Sequence, residues 1–374
     1  SNSYKNNLYS LKKDNKHLTK EVNIIQYMKE NILSDIKNEI SENKKVRVAI
    51  NGFGRIGRLI FRAGYDDPQI EFVAINDLSG VETARYMLQY DSAQGSFPHK
   101  VKVEGDNLVV GDKKVKILQE KDINKLPWQD LGVDVVAECT GIFKDREQAE
   151  IHLKNGAKKV VISAPGSGEV FYLVRGVNDE EYKDEYKVIS NGSCTTNSMS
   201  AVVNEIHKKY GIEKGMFSTI HSYTGDQRLV DTAHKNLRRG RAAAQNIIPT
   251  STGAAKAVIK LIPELEGKLH GIAYRIPTIT GSVTDLNLEL KQEVSKEEIQ
   301  QYLKELCSGK LNGIVEYNED EIVSSDIIGD SHSGIIDAES TEVTGKNMLK
   351  LVIWYDNEFG FSNRMIEVIK LINK

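Results

Sequence analysis

A cysteine at the start of a predicted helix is the residue in this sequence best suited to nucleophilic chemistry. The segment Ser190-Asn-Gly-Ser-Cys-Thr-Thr-Asn197 lies where a polar loop gives way to an amphipathic helix, predicted over residues 198–209. Cys194 is therefore expected near the helix N-terminus, where the helix dipole and free amides stabilise a thiolate. The amides of Cys194 and Thr195 would also bind the oxyanion that forms when a thiolate attacks a carbonyl.

A histidine downstream supplies the second group that such chemistry needs. Ser218-Thr-Ile-His221 is predicted as a strand that ends in an imidazole. The ring would pair with the thiolate, stabilise a tetrahedral alkoxide and take a proton when hydride leaves. A lone cysteine is more often inert and a lone histidine more often structural. The residues alone therefore leave the catalytic and structural interpretations equally open.

The other two cysteines have neighbours typical of a protein core. Cys139 follows an apolar strand, and Cys307 lies on a helix that Ser295 would cap and Gly309 would end. Both are interpreted as small core residues. Three scattered cysteines are too few for a disulfide scaffold or a zinc knuckle, so we expect no metal site, a reducing compartment and a cytoplasmic location.

A glycine-rich turn follows the first predicted strand. Gly52-Phe-Gly54-Arg-Ile-Gly57 directly follows residues 46–50 and opens a helix. Its first glycine permits a tight turn, the second lets backbone approach a pyrophosphate, and the third lets helix and strand pack closely. Asp77 ends the next strand, where a carboxylate accepts both ribose hydroxyls and repels a 2′-phosphate, which favours NAD over NADP. Asp77 as a mere helix cap or turn residue is the less favoured interpretation.

Short β-branched runs alternate with helical stretches from residue 46 onward. The runs at 46–50, 71–75, 133–137 and 159–163 are typical of βαβ units and a buried parallel sheet. After about residue 215 the runs lengthen and alternate between apolar and polar residues, as in 282–290. The expected fold class is α/β, with a Rossmann-type parallel-sheet NAD domain plus an α+β catalytic domain whose sheet is largely antiparallel.

The first 44 residues differ from the rest in being rich in Lys, Asn and Glu and in lacking Gly and Pro. Their apolar residues form a stripe that predicts one amphipathic helix over 18–41. Acidic residues within this stretch argue against a transit peptide. We favour a helix that packs on its own globule or on a symmetry mate over one that recruits another protein. The formal net charge of −3 gives no global attraction to nucleic acid, and no apolar run approaches the length of a membrane span.

Nine short segments carry a resemblance to a known family. In chain order they are Asn51-Gly-Phe-Gly-Arg-Ile-Gly-Arg58, Tyr90-Asp-Ser92, Ser163-Ala-Pro165, Ser193-Cys-Thr-Thr-Asn197, His221-Ser-Tyr-Thr-Gly-Asp-Gln-Arg228, Leu237-Arg-Arg-Gly-Arg-Ala-Ala-Ala244, Pro249-Thr-Ser-Thr-Gly-Ala-Ala-Lys256, Arg275-Ile-Pro-Thr278 and Trp354-Tyr-Asp-Asn-Glu358. The chain resembles the glyceraldehyde-3-phosphate dehydrogenases from about residue 46 to its C-terminus.

The resemblance implies a division of labour among named residues. Cys194 would attack the aldehyde of D-glyceraldehyde 3-phosphate, with His221 as acid/base partner, and NAD would accept the hydride. Inorganic phosphate would then cleave the thioester to give 1,3-bisphosphoglycerate, as in glycolysis and gluconeogenesis. The residues implied in substrate and phosphate binding are Ser193, Thr195, Thr224, Asp226, Arg239, Thr252, Gly253 and Arg275. Those implied in cofactor binding are Gly52, Gly54, Arg55, Ile56, Gly57, Asp77, Lys121, Ser163 and Asn357.

The resemblance also implies a homotetramer, in which the arginine-rich run 238–241 is a loop between subunits rather than a nucleic-acid patch. We expect an N-terminal helical extension at 1–44, a dinucleotide-binding domain at 45–193 plus 357–374, and a catalytic domain at 194–356. Thr232-Ala233 stands where the family frequently has Leu-Pro near the adenosine ribose, which leaves secondary use of NADP open. No membrane partner is indicated.

Two alternatives remain open. Erythrose-4-phosphate dehydrogenases resemble this family but hydrolyse their thioester, although the segment 275–283 looks more like the glyceraldehyde enzymes. A protein from another class would work chiefly as a scaffold through the N-terminal helix. The full catalytic set favours an enzyme without excluding that second role.

Overall fold

The computed structural model describes residues 45–374, so the predicted helix at 18–41 and the extension at 1–44 lie outside the described residues. Residues Val46–Asn373 form one compact unit. No helix in the described part of the chain is long and apolar enough to cross a membrane.

The first sheet contains nine strands of the described chain. They are β1 Val46–Asn51, β2 Ile70–Asn76, β3 Val101–Glu104, β4 Asn107–Val110, β5 Lys113–Leu118, β6 Val135–Glu138, β7 Lys159–Ile162, β8 Phe171–Tyr172 and β9 Val188–Ser190. Their order is β3-β4-β5-β2-β1-β6-β7-β9-β8. All pairs from β5 to β8 in this order are parallel, whereas β4 is antiparallel to both of its neighbours. The predicted parallel sheet is confirmed.

Burial explains why the central strands β6 and β7 of this sheet are largely apolar. Every residue of β6 and β7 is buried. A parallel sheet is covered on both faces by the helices that connect its strands, so it has no solvated side on which polar residues would alternate. The connecting helices are α1 Arg55–Gly64, α2 Val81–Gln89 and α3 Arg146–Lys154, and short 3₁₀ turns occupy Ile123–Lys125 and Asp179–Glu181.

The second sheet contains eight strands of the described chain. They are β10 Ile212–Ser222, β11 Ile248–Ser251, β12 Leu269–Ile276, β13 Ser282–Leu290, β14 Val315–Asn318, β15 Gly334–Asp337, β16 Glu342–Thr344 and β17 Met348–Tyr355. Their order is β11-β12-β10-β13-β17-β15-β14, with β16 beside β17. The β10–β12 and β14–β15 pairs are parallel and the other pairs antiparallel, so the expected, largely antiparallel sheet is confirmed.

Helices cover one face of the second sheet. Burial alternates residue by residue along β13, as its sequence predicts. Apolar side chains of three helices join those of the sheet in one core. These helices are α4 Cys194–Tyr210, α5 Ala254–Leu261 and α6 Lys296–Ser308, with 3₁₀ turns at Leu237–Gly240 and Pro263–Leu265. Ser295 caps α6 and Gly309 ends it, as predicted.

The last helix, α7 Phe359–Leu371, returns to the first sheet. Its Met365 and Ile366 share a core with Ile50 of β1. It packs so closely on α1 that a Cβ on Gly64 would lie 2.6 Å from Cδ1 of Ile366. This packing supports grouping residues 357–374 with the dinucleotide-binding part, although the proposed domain boundaries remain a prediction.

Candidate active site

Cys194 is the first residue of α4, which confirms its predicted place at a helix N-terminus. Ser193 is the N-cap, and its Oγ accepts a hydrogen bond from the backbone N–H of Thr196 at 3.1 Å. This cap satisfies a helix N–H that would otherwise lack a partner. For this reason the helix begins four residues earlier than the expected start at Ser198.

His221 lies beside Cys194. It is the last residue but one of β10, and its Nε2 is 3.4 Å from Sγ of Cys194. Only 4% of His221 is exposed. The structure thus joins a thiol from a helix start to an imidazole from a strand end, as the resemblance implies.

Arg275 reaches the same imidazole because of sheet register. β12 runs parallel to β10, and His221 and Arg275 are direct partners in that pairing. The guanidinium Nη1 of Arg275 lies 2.7 Å from Nδ1 of His221 and 3.1 Å from the carbonyl oxygen of Ser222. A fixed positive charge therefore sits against the ring on the side opposite the thiol.

Two groups compete for Nδ1 of His221, which lies 2.7 Å from the carbonyl oxygen of Ser222 and 2.7 Å from the arginine nitrogen. A proton on Nδ1 would be donated to Ser222 and leave Nε2 free to accept the thiol proton. An unprotonated Nδ1 would accept from Arg275, and Nε2–H would then point at sulfur. In both arrangements the ring carries one proton.

Burial determines the charge state of this pair. Burial and then the charge of Arg275 lower the pKa of His221 to about 3. Burial raises the pKa of the Cys194 thiol, while Arg275, the hydroxyl and amide of Thr195 and the amide of Cys194 lower it to a smaller extent. Desolvation thus disfavours both charges of the expected thiolate–imidazolium pair and favours the neutral thiol and imidazole.

A cleft of about 1050 Å³ contains the pair. The predicted site residues that line it are Arg55, Ile56, Ser163, Ser193, Cys194, His221, Thr224, Asp226, Arg239, Arg275 and Asn357. The cleft therefore unites the proposed nucleophile with residues expected for both anion and cofactor binding. The predicted site residues outside its lining are Gly52, Gly54, Gly57, Asp77, Lys121, Thr195, Thr252 and Gly253.

Arg239 links the loop after β10 to β11. Its Nη1 is 2.6 Å from Oδ2 of Asp226, and its Nε donates to Oγ1 of Thr250 at 2.9 Å. The predicted residues Thr252 and Gly253 follow β11 at the start of α5, where Oγ1 of Thr252 accepts from the N–H of Ala254. Hydroxyls, guanidinium groups and a helix N-terminus are the donors that suit phosphate oxygens.

Thr195 and Lys121 are two of the predicted residues that lie outside the lining of the cleft. Thr195 is 4% exposed, and its Oγ1 lies 3.0 Å from the buried hydroxyl of Tyr355. The same Oγ1 lies 4.0 Å from Sγ of Cys194, so the side chain packs against the core and also reaches the sulfur. Lys121 is exposed at the surface and lines no part of the cleft.

The glycine-rich turn lies between β1 and α1. Gly52 has a φ of +93°, and a Cβ at this position would lie 2.8 Å from the backbone nitrogen of Thr140. Oδ2 of Asp77 accepts from the N–H of Phe53 at 2.8 Å, and Oδ1 accepts from the N–H of Ser79 at 2.9 Å. Oδ1 also accepts from the hydroxyl of Ser79. Asp77 therefore orders this turn, as the less favoured interpretation held, and its Oδ2 retains a lone pair for a ligand.

Asn357 presents one end of its amide to the cleft. Its Oδ1 accepts from the backbone N–H of Gly281 at 3.1 Å and from the hydroxyls of Ser222 and Ser282. A backbone N–H is always a donor, so it fixes which amide atom is oxygen. The NH₂ group has no hydrogen-bond partner among the described residues and is available to a ligand carbonyl.

Sequence reasoning missed the carboxylates that hold Arg55. This arginine, at the start of α1, donates to Asp91 after α2 and to Glu358 before α7. Both carboxylates line the cleft. Their sequence positions beside Tyr90 and Asn357, in two of the nine resemblance segments, were the signal available. Tyr355 was also missed, because only the structure shows its hydroxyl between Thr195 and Thr219.

Comparison with known proteins agrees with this geometry. The family model described as glyceraldehyde 3-phosphate dehydrogenase, NAD binding domain, matches residues 46–146, and the model of the C-terminal domain matches 193–357. The glyceraldehyde-3-phosphate dehydrogenase of Thermotoga maritima is 52% identical over 330 residues, covering 88% of this chain and 99% of that protein. That of Geobacillus stearothermophilus is 50% identical over 328 residues, covering 87% and 98%.

A third relative, glyceraldehyde-3-phosphate dehydrogenase 1 of Bacillus subtilis, is 49% identical over 330 residues and covers 88% of this chain and 98% of its own length. The matched regions contain the glycine-rich turn, Cys194, His221 and Asn357. Two family models and relatives of this similarity, aligned over most of both chains, establish that this chain belongs to the glyceraldehyde-3-phosphate dehydrogenase family.

Proposed function

We propose that this protein oxidises D-glyceraldehyde 3-phosphate with NAD and inorganic phosphate to 1,3-bisphosphoglycerate. The observation that carries the proposal is the 3.4 Å contact between Cys194 and His221 in a cleft that also contains Arg239 and Arg275. A nucleophile beside a base suits attack on an aldehyde, and two guanidinium groups suit a substrate and a co-substrate that both carry phosphate.

His221 begins the reaction by taking the proton of Cys194 through Nε2, with Nδ1–H held by the carbonyl of Ser222. The sulfur then attacks the aldehyde carbon to give a thiohemiacetal. Its oxygen lies near the N-terminal amides of α4, which offer donors to developing negative charge. The imidazolium returns this proton to the alkoxide, which gives the neutral hydroxyl of the thiohemiacetal and leaves the ring free to act again as base.

NAD supplies the hydride acceptor when bound, and the residues present fit it. A Cβ on Gly54 would meet no described atom within 4 Å, which leaves the turn open to a pyrophosphate. The free amide NH₂ of Asn357 suits the carbonyl of a carboxamide. Hydride loss from the thiohemiacetal, with its hydroxyl proton passed to His221, leaves a thioester on Cys194. Attack by phosphate, positioned by arginine, releases the product and the thiolate.

An NADH absorbance assay with purified protein, aldehyde, NAD and phosphate tests this proposal. Cys194→Ser is expected to abolish turnover, because a serine hydroxyl is far less acidic than a thiol. Cys307→Ser is the matched control, since Cys307 is buried in the core of the second sheet. Activity in the Cys194→Ser variant would overturn the assignment of the nucleophile. Turnover that persists unchanged without phosphate would instead favour thioester hydrolysis, as in the erythrose-4-phosphate enzymes.

Asp77 supports NAD over NADP, because its carboxylate beside the glycine-rich turn would repel a 2′-phosphate. Secondary use of NADP remains part of the proposal, since Thr232-Ala233 presents less bulk than a Leu-Pro pair. Rates with each cofactor, measured at matched concentrations, distinguish the two. A kcat/KM for NADP equal to that for NAD would contradict the role given to Asp77.

We also propose a homotetramer in the cytoplasm. Four large apolar side chains in the loop region between β10 and β11 are exposed, by 69% to 85%. They are Leu229, Val230, Leu237 and Ile247. Such a concentration of apolar surface supports a contact between subunits. Light scattering after gel filtration should give a tetramer for the parent and smaller species for Leu237→Asp, and a monomeric parent would refute the assembly.

All three cysteines are free, which supports the reducing, cytoplasmic compartment that we propose.

A further inference from the structure

A carboxylate that the proposed reaction does not use lies buried below the glycine-rich turn. Glu138 is the last residue of β6 and is 1% exposed. Its Oε2 accepts from Nδ2 of Asn51 at 2.6 Å and lies 3.0 Å from Nε2 of His152. Its Oε1 accepts from the backbone N–H of Thr140 at 2.8 Å and from the hydroxyl of the same residue. Burying an ionised carboxylate is costly unless donors surround it, and here donors meet both oxygens.

Trp128 determines the proton position on His152. The indole Nε1–H is a donor only, and it lies 2.9 Å from Nδ1 of His152, so Nδ1 must be unprotonated. The single ring proton is therefore on Nε2 and is donated to Glu138. Both rings are fully buried. This arrangement leaves the negative charge on Glu138, where it strengthens the hydrogen bonds from Asn51 and Thr140.

The hydrogen bonds continue from Glu138 across the carboxyl ends of three strands. Oδ1 of Asn51, the last residue of β1, accepts from Nδ2 of Asn76 at 2.9 Å. Asn76 ends β2, and its side chain bonds both the N–H and the carbonyl of Glu120. This series of hydrogen bonds runs from Trp128 through His152, Glu138 and Asn51 to Asn76, and it connects the carboxyl ends of β6, β1 and β2.

The residues that follow these strand ends form the expected cofactor edge. Gly52 follows Asn51, Asp77 follows Asn76, and Thr140 lies two residues after Glu138. The fit is close, because a Cβ on Gly52 would lie 2.8 Å from the nitrogen of Thr140. A shift of Asn51 or Thr140 would therefore change the path of the glycine-rich turn relative to Asp77.

We propose that Glu138 is a positioning residue for dinucleotide binding, which acts through Asn51 and Thr140 to hold the glycine-rich turn. It touches neither substrate nor reacting atoms. The inference rests on the use of NAD and is independent of the roles given to Cys194 and His221. Binding of NAD alone therefore tests it, whatever aldehyde the protein oxidises.

Glu138→Gln is the first test, because it keeps the shape of the side chain but replaces one acceptor by an NH₂ donor. That donor would face another donor, from either His152 and Asn51 or Thr140. We expect the Kd for NAD, measured by calorimetry without aldehyde, and the KM for NAD to rise about tenfold. The kcat at saturating NAD should stay within about twofold, because the arrangement of Cys194 and His221 is untouched.

Glu205→Gln is the matched control. Glu205 is also a buried carboxylate, 7% exposed, but it lies in α4 and pairs with Lys310 at 2.7 Å. The Glu205→Gln substitution should lower the melting temperature without raising the Kd for NAD. If Glu138→Gln lowers the melting temperature while leaving the Kd unchanged, Glu138 has a structural role only and the proposal is wrong.

His152→Leu provides a second variant if Glu138→Gln does not fold. It removes one donor to Glu138 and leaves the bonds from Asn51 and Thr140 in place, so we expect a Kd for NAD about threefold higher with kcat retained. An unchanged Kd in this variant, or a fall in kcat with no change in Kd, would overturn the proposal. If the parent protein binds NAD but does not turn over the aldehyde, that result would instead count against the proposed function.

Discussion

Replacing Gly54 by alanine separates the needs of the fold from those of the cofactor. Gly54 is the N-cap of α1, with a φ of −69° that any residue adopts. A Cβ there would meet no described atom within 4 Å. The protein itself therefore gives no steric reason for glycine at this position. If a pyrophosphate approaches the turn here, the added methyl group would occupy its path.

The magnitudes distinguish these two effects. Alanine is a poorer N-cap than glycine, at a cost of up to about 1 kcal/mol. It also restricts the unfolded chain, which stabilises the fold by about 0.4–1 kcal/mol. These contributions oppose each other, so stability should stay within about 1 kcal/mol of the parent. Displacing the pyrophosphate loses one charge-assisted hydrogen bond or more, worth about 1.5–3 kcal/mol, which weakens NAD binding by about 10- to 100-fold.

Gly57→Ala is the contrasting variant. Its Cβ would lie 2.1 Å from the carbonyl oxygen of Gly52, so backbone must move and the fold itself loses about 1–3 kcal/mol or more. Calorimetry with NAD and urea unfolding should be run on both variants. The reasoning fails if Gly54→Ala binds NAD within about twofold of the parent, or if it unfolds as easily as Gly57→Ala.

Three further changes test other parts of the structure. Ser295→Ala should lower the free energy of unfolding by about 1 kcal/mol without affecting turnover, because its Oγ accepts from the N–H of Glu298 at 3.1 Å; an unchanged urea midpoint would contradict the cap. Burial lowers the pKa of His221 from 6.5 to about 3. As the pH falls from about 6.5 toward 3, the unfolded state therefore binds a proton at His221 that the folded state does not bind, and the folded state loses stability. His221→Gln should therefore lose less stability than the parent between about pH 7 and pH 5, and equal losses would refute the shift. Tyr355→Phe leaves the buried hydroxyls of Thr195 and Thr219 without their shared partner, which should cost about 1–3 kcal/mol in urea unfolding, whereas parent-like stability would show that they find other partners.

Local signals explain why part of the site could be predicted. The N-cap Ser193 sits next to Cys194 in sequence, and the glycines of the turn are separated by a few residues. Each feature depends on one helix start or one strand end, which short-range patterns encode. The contact between Cys194 and His221 needed more than this, and the resemblance to a family indicated it.

Long-range pairing explains what could not be predicted from the residues alone. Arg275 meets His221 only because β10 and β12 pair in a particular parallel register across 54 residues of chain. The pKa of Cys194 depends on a balance between burial, the charge of Arg275 and hydrogen bonds at the helix N-terminus, and the sequence reveals only the last of these. The inward direction of Thr195 likewise follows from Tyr355, which lies 160 residues away.

The return of α7 to the first sheet has a consequence for how the protein is made. Arg55 and Glu358 bond across 303 residues of chain, and Asp67 and Lys370 span the same separation. During synthesis β1 and α1 leave the ribosome long before α7 is made. The apolar surface that α7 later covers therefore stays exposed until then. The second sheet, which lies between them in sequence, can close first. Chaperone capture of nascent chains should therefore target the early β1–α1 region and end once residue 371 has emerged.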